Sequence, residues 1–274
     1  MSTFTRNTSS DAGGMYFNLS TVLVDRCVVQ GNVAGGRGGG MLFDNSEVTV
    51  TNSVFVGNSA GDDAGGIAIR TGNNAVLENC TIVGNVAADA IGGVLVSNSS
   101  TSSLINTIST GNADAFGNVP DYGGTSTASA YGGAFSIVAT DSLTPDAVFG
   151  DGIFTATPSE LFTRVPDPGV DGEWGTLDDD YGDLTLLPTA PAIDAGSSVR
   201  YAGPLADLAG TDRAQDDPMS PDVGESFAAP IIDIGAFEVA SGFIPSGCPG
   251  DADGNGRTET ADLTFVVSNL GCQD

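Results

Sequence analysis

Short apolar alternations divided by turn residues fill the first 115 residues, and they return in phase. Met15-Tyr16-Phe17, Met41-Leu42-Phe43, Ile67-Ala68-Ile69 and Val94-Leu95-Val96 each follow a glycine pair, ending at Gly14, Gly40, Gly66 and Gly93; the spacings are 26, 26 and 27 residues. A second marker keeps step: Gly31-Asn32, Gly57-Asn58, Gly84-Asn85 and Gly111-Asn112 are 26, 27 and 27 residues apart. Nothing in the unit shows apolar spacing of three and four residues over a helix length, whereas period-two runs bounded by turns are everywhere. A strand-built unit of this length cannot bury its apolar face alone and must be covered by its neighbours. The pattern predicts an all-β chain in which each unit is one circuit of a right-handed parallel β-helix, cut by turns into three short strands.

Stacked circuits superpose like residues. Aligned on the Gly-Asn marker, Val24, Val50, Leu77 and Leu104 fall in one column, Val29, Phe55, Ile82 and Ser109 in another, and the small side chains of Cys27, Ser53, Cys80 and Thr107 in a third. Arg26, Asn52, Asn79 and Asn106, with the marker asparagines Asn32, Asn58, Asn85 and Asn112, are expected to form ladders at turns. Asn tolerates left-handed backbone there, and its amide pairs with the coils above and below. The next glycine pair, Gly132-Gly133, comes 40 residues after the fourth. Phe116 to Ala130 reads as an inserted loop, after which Ala134 to Val138 resumes the helix. Val148-Phe149 and Leu161-Phe162 are expected as inward anchors, and Asp183 to Leu187 as the last strand. The expected divisions are a β-helix over 1–198 with repeats clearest at 10–115, a capping region over 199–240, a Gly/Pro/Ser linker at 241–247, and a small module over 248–274.

The phrases GGMLF…NSVFVGNSA, AGGIAI…ENCTIVGNVA and IGGVLV…GNA resemble the repeats of polymorphic-outer-membrane-protein-type and related secreted parallel β-helix proteins. The resemblance covers about residues 10–115 and implies the fold and an extracellular or cell-surface location, not an activity. Further on, Pro191-Ala-Ile-Asp194-Ala-Gly, Asp207-Leu-Ala-Gly210-Thr-Asp212-Arg213 and Asp233-Ile-Gly-Ala-Phe-Glu238 are similar to the choice-of-anchor region of surface β-helix proteins. Arg213 is a rare cation among acids there. A bidentate pair with Asp194, Asp233 or Glu238 would lock a cap over the open end of the helix.

Charge narrows the partners. The chain carries 35 Asp and Glu against 8 basic residues, for a net charge of −27. All the basic residues are Arg, and the negative balance makes nucleic acid and anionic membrane surfaces poor partners. No apolar run is long enough to span a bilayer. Residues 1–11 are polar and carry no hydrophobic signal core, so an export signal and upstream coils are expected ahead of Met1. Divalent cations suit such a chain better. The acidic stretch holding Asp167, Asp171, Glu173, Asp178 and Asp180 around glycine turns offers the hard oxygens that calcium takes; the alternative is a solvated loop pinned by Trp174. Trp174 itself reads as a core anchor or as a platform for a sugar ring.

The sharpest spacing lies at the C-terminus. Asp251, Asp253, Asn255, Glu259 and Asp262 stand at loop positions 1, 3, 5, 9 and 12, with Gly256 for the tight turn and the Arg257 carbonyl at position 7, which is the calcium-loop spacing of an EF-hand. A helix with Leu263, Val266, Val267 and Leu270 on one face is expected to follow. Asp at position 12 departs from the EF-hand but resembles dockerins, as do the DADGNG and ADL phrases. Dockerins carry two such units and this chain one, so the resemblance implies Ca²⁺ binding and leaves a cohesin-like or envelope partner open. Cys248 and Cys272 flank this module and are the expected disulfide, which argues for an oxidising compartment. Cys27 and Cys80 share a column two coils apart, roughly 9.6 Å at about 4.8 Å per coil, beyond the about 7 Å a disulfide spans; both are expected free.

Catalysis is not expected. Lyase chemistry asks for a basic side chain beside bound calcium, and hydrolysis for grouped carboxylates; Arg26, Arg37 and Arg70 fall in different phases of the repeat, and Asp62, Asp63 and Asp89 read as turn residues. The function expected is a secreted structural or adhesive β-helix that presents a stacked loop face to a polysaccharide or cell-surface glycan and is tethered by its calcium module. The alternative is a polysaccharide lyase or hydrolase on the same scaffold.

Overall fold

The computed structural model describes residues 1–239 apart from 90, 115, 118–120, 126–135, 141, 144–152, 214, 216, 218–219 and 227–229. The repeat is a parallel β-helix. Its coils contribute to four parallel sheets rather than three, because the two residues after each Gly-Asn marker form a short strand of their own. The first sheet has seven strands, among them Ser2–Thr5, Cys27–Gln30, Val54–Val56, Thr81–Val83 and Ile108–Thr110. The second stacks two-residue strands such as Val33–Ala34 and Ser59–Ala60. The third contains Met15–Asn18, Met41–Asp44, Ile67–Arg70 and Val94–Ser97, and the fourth Thr21–Asp25, Glu47–Thr51, Asn74–Glu78 and Thr101–Ile105.

Register follows the sequence columns: Val24, Val50, Leu77 and Leu104 are aligned in the fourth sheet, and Phe4, Val29, Phe55, Ile82 and Ser109 in the first. These columns, with Met41, Phe43, Ile67, Ile69, Val94 and Val96 of the third sheet, make one continuous interior. Phe17 and Phe43 stack inside it with ring centroids 5.6 Å apart. The glycine pairs are needed because backbones meet at this corner. A Cβ on Gly14 would lie 2.4 Å from the Gly40 carbonyl oxygen, and one on Gly40 would lie 2.7 Å from that of Gly66.

The two kinds of turn asparagine divide the work expected of both. The marker residues form the ladder: Nδ2 of Asn7, Asn32, Asn58 and Asn85 donates to Oδ1 of the asparagine one coil on at 2.8–2.9 Å, and Asn112 donates to Asp121 at 2.6 Å. Left-handed backbone instead falls on Gly31, Gly57, Gly84 and Gly111 beside them, and on Arg26, Asn52, Asn79 and Asn106. The small-residue column is a second ladder, in which Ser53 Oγ accepts from Cys27 N and Thr107 Oγ1 from Cys80 N.

Two expected strands sit elsewhere. The third-sheet strand after Val94–Ser97 is Tyr122–Thr125, inside the stretch read as an insertion, and Ser136–Thr140 belongs to the fourth sheet. The periodicity misleads here because Asp121, not a glycine pair, supplies the carbonyl that receives Val94 N. Asp183–Leu186 is not the last strand of the helix. It pairs antiparallel with Phe162–Arg164, and its buried Leu184 and Leu186 pack in a second cluster outside the coils. The last parallel strand described is Ile153–Phe154. Residues 155–239 then run back along the flank of the stack as a lateral layer, the clasp.

Candidate functional site

In its middle coils the first sheet carries buried side chains on both faces. Val54-Phe55-Val56 reads as an unbroken apolar run and Thr81-Ile82-Val83 is buried throughout, the signature of a sheet covered on two sides. Phe55 and Ile82 point into the coils, while Val54, Val56, Val83 and Ile108 join Leu161, Phe162, Leu184, Leu186, Ile193 and Ile234 of the clasp in a second core. Each such side chain contributes about 1.5–3 kcal/mol on burial.

The clasp's rings rest on the marker glycines. A Cβ on Gly57 would lie 2.5 Å from the Trp174 ring, one on Gly111 2.6 Å from Pro158 Cγ, and one on Gly31 would overlap the Tyr181 hydroxyl. These glycines thus serve a left-handed turn and a flat seat at once. Trp174 is 8% exposed and stacks on Tyr181 at 5.9 Å, with Arg6 over the far ring at 5.6 Å. It is an anchor; its ring does not face solvent as a sugar platform would.

On the next corner, the left-handed asparagines hold the clasp by hydrogen bonds. Asn79 Nδ2 donates to the Asp233 carbonyl at 3.1 Å, Ser197 N to Asn106 Oδ1 at 2.7 Å, Arg213 Nε to Asn52 Oδ1 at 2.9 Å, and Ala202 N to Glu78 Oε1 at 2.9 Å. Three coils are gripped along one side, so the described residues of 190–239 lie across the flank of the stack. Arg213 is fully buried, and its fork is spread over Asn52, Glu238 and the Gly235 carbonyl instead of closing on one carboxylate. Asp194 and Asp233 act through the backbone: Asp233 Oδ1 accepts Asp194 N at 2.8 Å.

The acidic stretch forms separate turns. Asp167 and Asp180 exchange backbone hydrogen bonds at 2.8 and 2.9 Å. Asp167 Oδ1 accepts Gly169 N, Asp171 Oδ1 accepts Glu173 N, and Asp178 accepts Val170 N and the Thr176 hydroxyl. Hydrogen bonding from Thr176 lowers the Asp178 carboxyl, and that from Gly182 lowers Asp180, which also pairs with Arg164 at 2.8 Å. Asp167 and Asp171 close their own turns, Asp178 reaches back to Val170 N and Asp180 to Arg164, and Glu173 takes part through its backbone N–H. Among the described residues, no three Asp, Glu, Cys or His side chains converge as a metal site. The loop of Asp251, Asp253, Asn255, Arg257, Glu259 and Asp262, and Cys248 and Cys272, lie outside the described residues.

The fourth sheet keeps part of its outer face open, away from the Thr51 and Glu78 row that the clasp covers. Thr21, Glu47, Asn74 and Thr101 form one row across it, and Leu23, Thr49, Val76 and Ser103 the next. The first row is exposed in every coil. At its head, a shallow groove of about 360 Å³ is lined by Leu19, Ser20, Thr21, Asn45, Ser46, Glu47, Gly72 and Asn74. A second cleft, of about 520 Å³, lies in the clasp between Leu186, Leu187, Pro188, Phe237 and Val239.

A family model described as right handed beta helix region matches residues 1–113. The right-handed β-helix repeat read from the Gly and Asn markers is what this match covers, and the clasp lies beyond it. No curated protein matches the chain. Among the described residues, no helix is long and apolar enough to cross a membrane. The β-helix fold carries enzymes and non-enzymes alike, so function must be argued from the surface. Sequence reasoning missed the clasp's seat. The signal was present in the continuous apolar run Val54-Phe55-Val56 of the first sheet, which a half-exposed strand would not show.

Proposed function

We propose that this chain is a structural β-helix protein that binds a neutral polysaccharide or cell-surface glycan along its fourth-sheet face. The observation that carries the reading is the division of faces: the chain covers its own first sheet with the clasp and leaves the leading row of the fourth sheet, Thr21, Glu47, Asn74 and Thr101, exposed. The open rows offer hydroxyl, amide and carboxylate groups in register, spaced about 4.8 Å apart from coil to coil. Hydroxyl-rich, uncharged polymers suit such a surface, and a net charge of −27 disfavours anionic ones. Secretion or surface display accords with this role. In the same reading, Ca²⁺ held by Asp251, Asp253, Asn255, the Arg257 carbonyl, Glu259 and Asp262 orders the C-terminal module as a tether, braced by a Cys248–Cys272 disulfide, for a cohesin-like or envelope partner. Its support is the loop spacing in the sequence.

A glycan array probed with the full chain tests the ligand. Binding to neutral glycans that Glu47→Ala and Asn74→Ala weaken at least several-fold is expected; undiminished binding in both variants moves the site elsewhere. Unsaturated or newly reducing ends released from a bound glycan would make the chain an enzyme instead. Calcium calorimetry on the full chain should show binding that Asp251→Ala abolishes, and equal heats from both proteins would leave the module without its metal.

A further inference from the structure

The clasp closes around one enclosed cation. Arg213 is 1% exposed, donating to Asn52 Oδ1 at 2.9 Å, to the Gly235 carbonyl at 2.8 Å and to Glu238 Oε2 at 3.2 Å. Asp233 and Glu238 are buried in this enclosure, with the buried carboxyls of Asp194, Asp207 and Asp217 alongside. Asp233 is equipped to be an anion, with Asp194 N on Oδ1 at 2.8 Å and Val239 N on Oδ2 at 2.6 Å. Neighbouring Asp207 accepts Thr211 N and Glu238 N at 2.6 and 2.9 Å. Glu238 differs. Its Oε2 also takes Asp233 N at 3.2 Å, but Oε1 is sealed from solvent with no hydrogen-bond partner among the described residues. An ionised carboxylate would strand half its charge on that oxygen, with one guanidinium already facing two acids; a neutral carboxyl removes the charge.

We propose that the clasp takes up a proton on Glu238 when it closes on the solenoid, and therefore holds less tightly as pH rises. Released, Glu238 titrates near its ordinary 4.5; closed, burial and then the neighbouring Asp233 push it up to about 10. A group raised in the closed state contributes fully below its released value, and the contribution is lost as pH climbs through the closed value. For Glu238 that window runs from 4.5 to about 10, and one proton changes the closing equilibrium about ten-fold per pH unit.

Asp233, Glu78, Tyr201 and Cys80 do not reverse this sign. Burial raises Asp233 to about 6, despite the opposing pull of Arg213 and with Asp217 adding to the rise, so its contribution is confined to the acid side. From the fourth sheet, buried Glu78 is raised by desolvation and acts in the same direction. Burial also raises Tyr201, which faces Arg213, Glu78 and Asp25, and raises Cys80 inside the coils to about 12. Opening the clasp uncovers Val54, Val56, Val83 and Ile108, so the proton governs access to an apolar strip on the solenoid.

Hydrogen exchange of the full chain tests this, read as protection factors between pH 6 and pH 9. Leu208, Ile234 and Gly235 donate to the Ala236, Ala192 and Asn106 carbonyls across the clasp and report its opening; Asn58 and Asn85 report the ladder. Clasp protection should fall toward ten-fold per pH unit while ladder protection holds. Glu238→Gln, uncharged at every pH, should flatten the clasp profile. A flat profile in the native protein, or an equal slope in Glu238→Gln, overturns the proposal. Should the Gln variant fail to close, the native protein denatured at pH 8 in weak buffer must release about one proton; release of none overturns it.

Discussion

Asn58 shows how one side chain can be worth more than one hydrogen bond. Its Oδ1 receives both the backbone N–H and the amide of Asn32, while its Nδ2 reaches Asn85 Oδ1 and the Val29 carbonyl. Alanine there strands donors and an acceptor inside a sealed stack, and each buried orphan costs about 1–3 kcal/mol. Asn58→Ala and Asn85→Ala should therefore each lower the melting temperature by well over the effect of a surface Asn→Ala control, measured by circular dichroism; unchanged melting would mean the ladder does not bear on stability. Thiols make a second test at this scale. Cys27 and Cys80 are both free and buried. Burial raises both, Cys80 to about 12, which keeps it protonated and unreactive at neutral pH. Labelling of the folded protein should spare Cys80 and reach it only after denaturation, as mass spectrometry would show.

Among the elements, the coil strands were legible because each has a core face and the period-two alternation exposes it: Val48 and Val50 of Glu47–Thr51 are buried, and Glu47 between turn and strand is not. The second sheet was not legible, since two residues such as Val33-Ala34 cannot display a period. Nor was the clasp. Leu184 and Leu186 alternate like any coil strand, and nothing local tells whether such a face meets the interior of the stack or its flank. The acidic turns pose a related ambiguity: Asp followed two residues later by a free N–H closes its own turn, and spacing alone does not separate that from convergence on an ion. The seat of the clasp makes a definite prediction. Gly57→Ala puts a methyl where the Trp174 ring lies and strains a backbone at φ +59°. Emission from the chain's one tryptophan should shift to the red in this variant, with the ladder's cooperative melting retained; an unshifted spectrum would mean that the ring does not rest on Gly57.

For the whole molecule, the division into a covered and an open flank governs what the chain can present. Its interior is built from neighbour-to-neighbour contacts, so each coil is indifferent to how many others stand in the row. The clasp is not indifferent. Tyr181 lies over Gly31, Trp174 over Gly57 and Gly84, and Pro158 over Gly111, positions fixed by the length of chain between them. Excising one coil would shorten the row by about 4.8 Å and carry at least one ring off its glycine, while a duplicated coil would leave a glycine bare. A bare repeat can gain or lose units by unequal crossing-over with little penalty. This one carries its own ruler, and selection on the fit of three rings would hold the number of repeats constant over the gripped span while units beyond it stay free to vary.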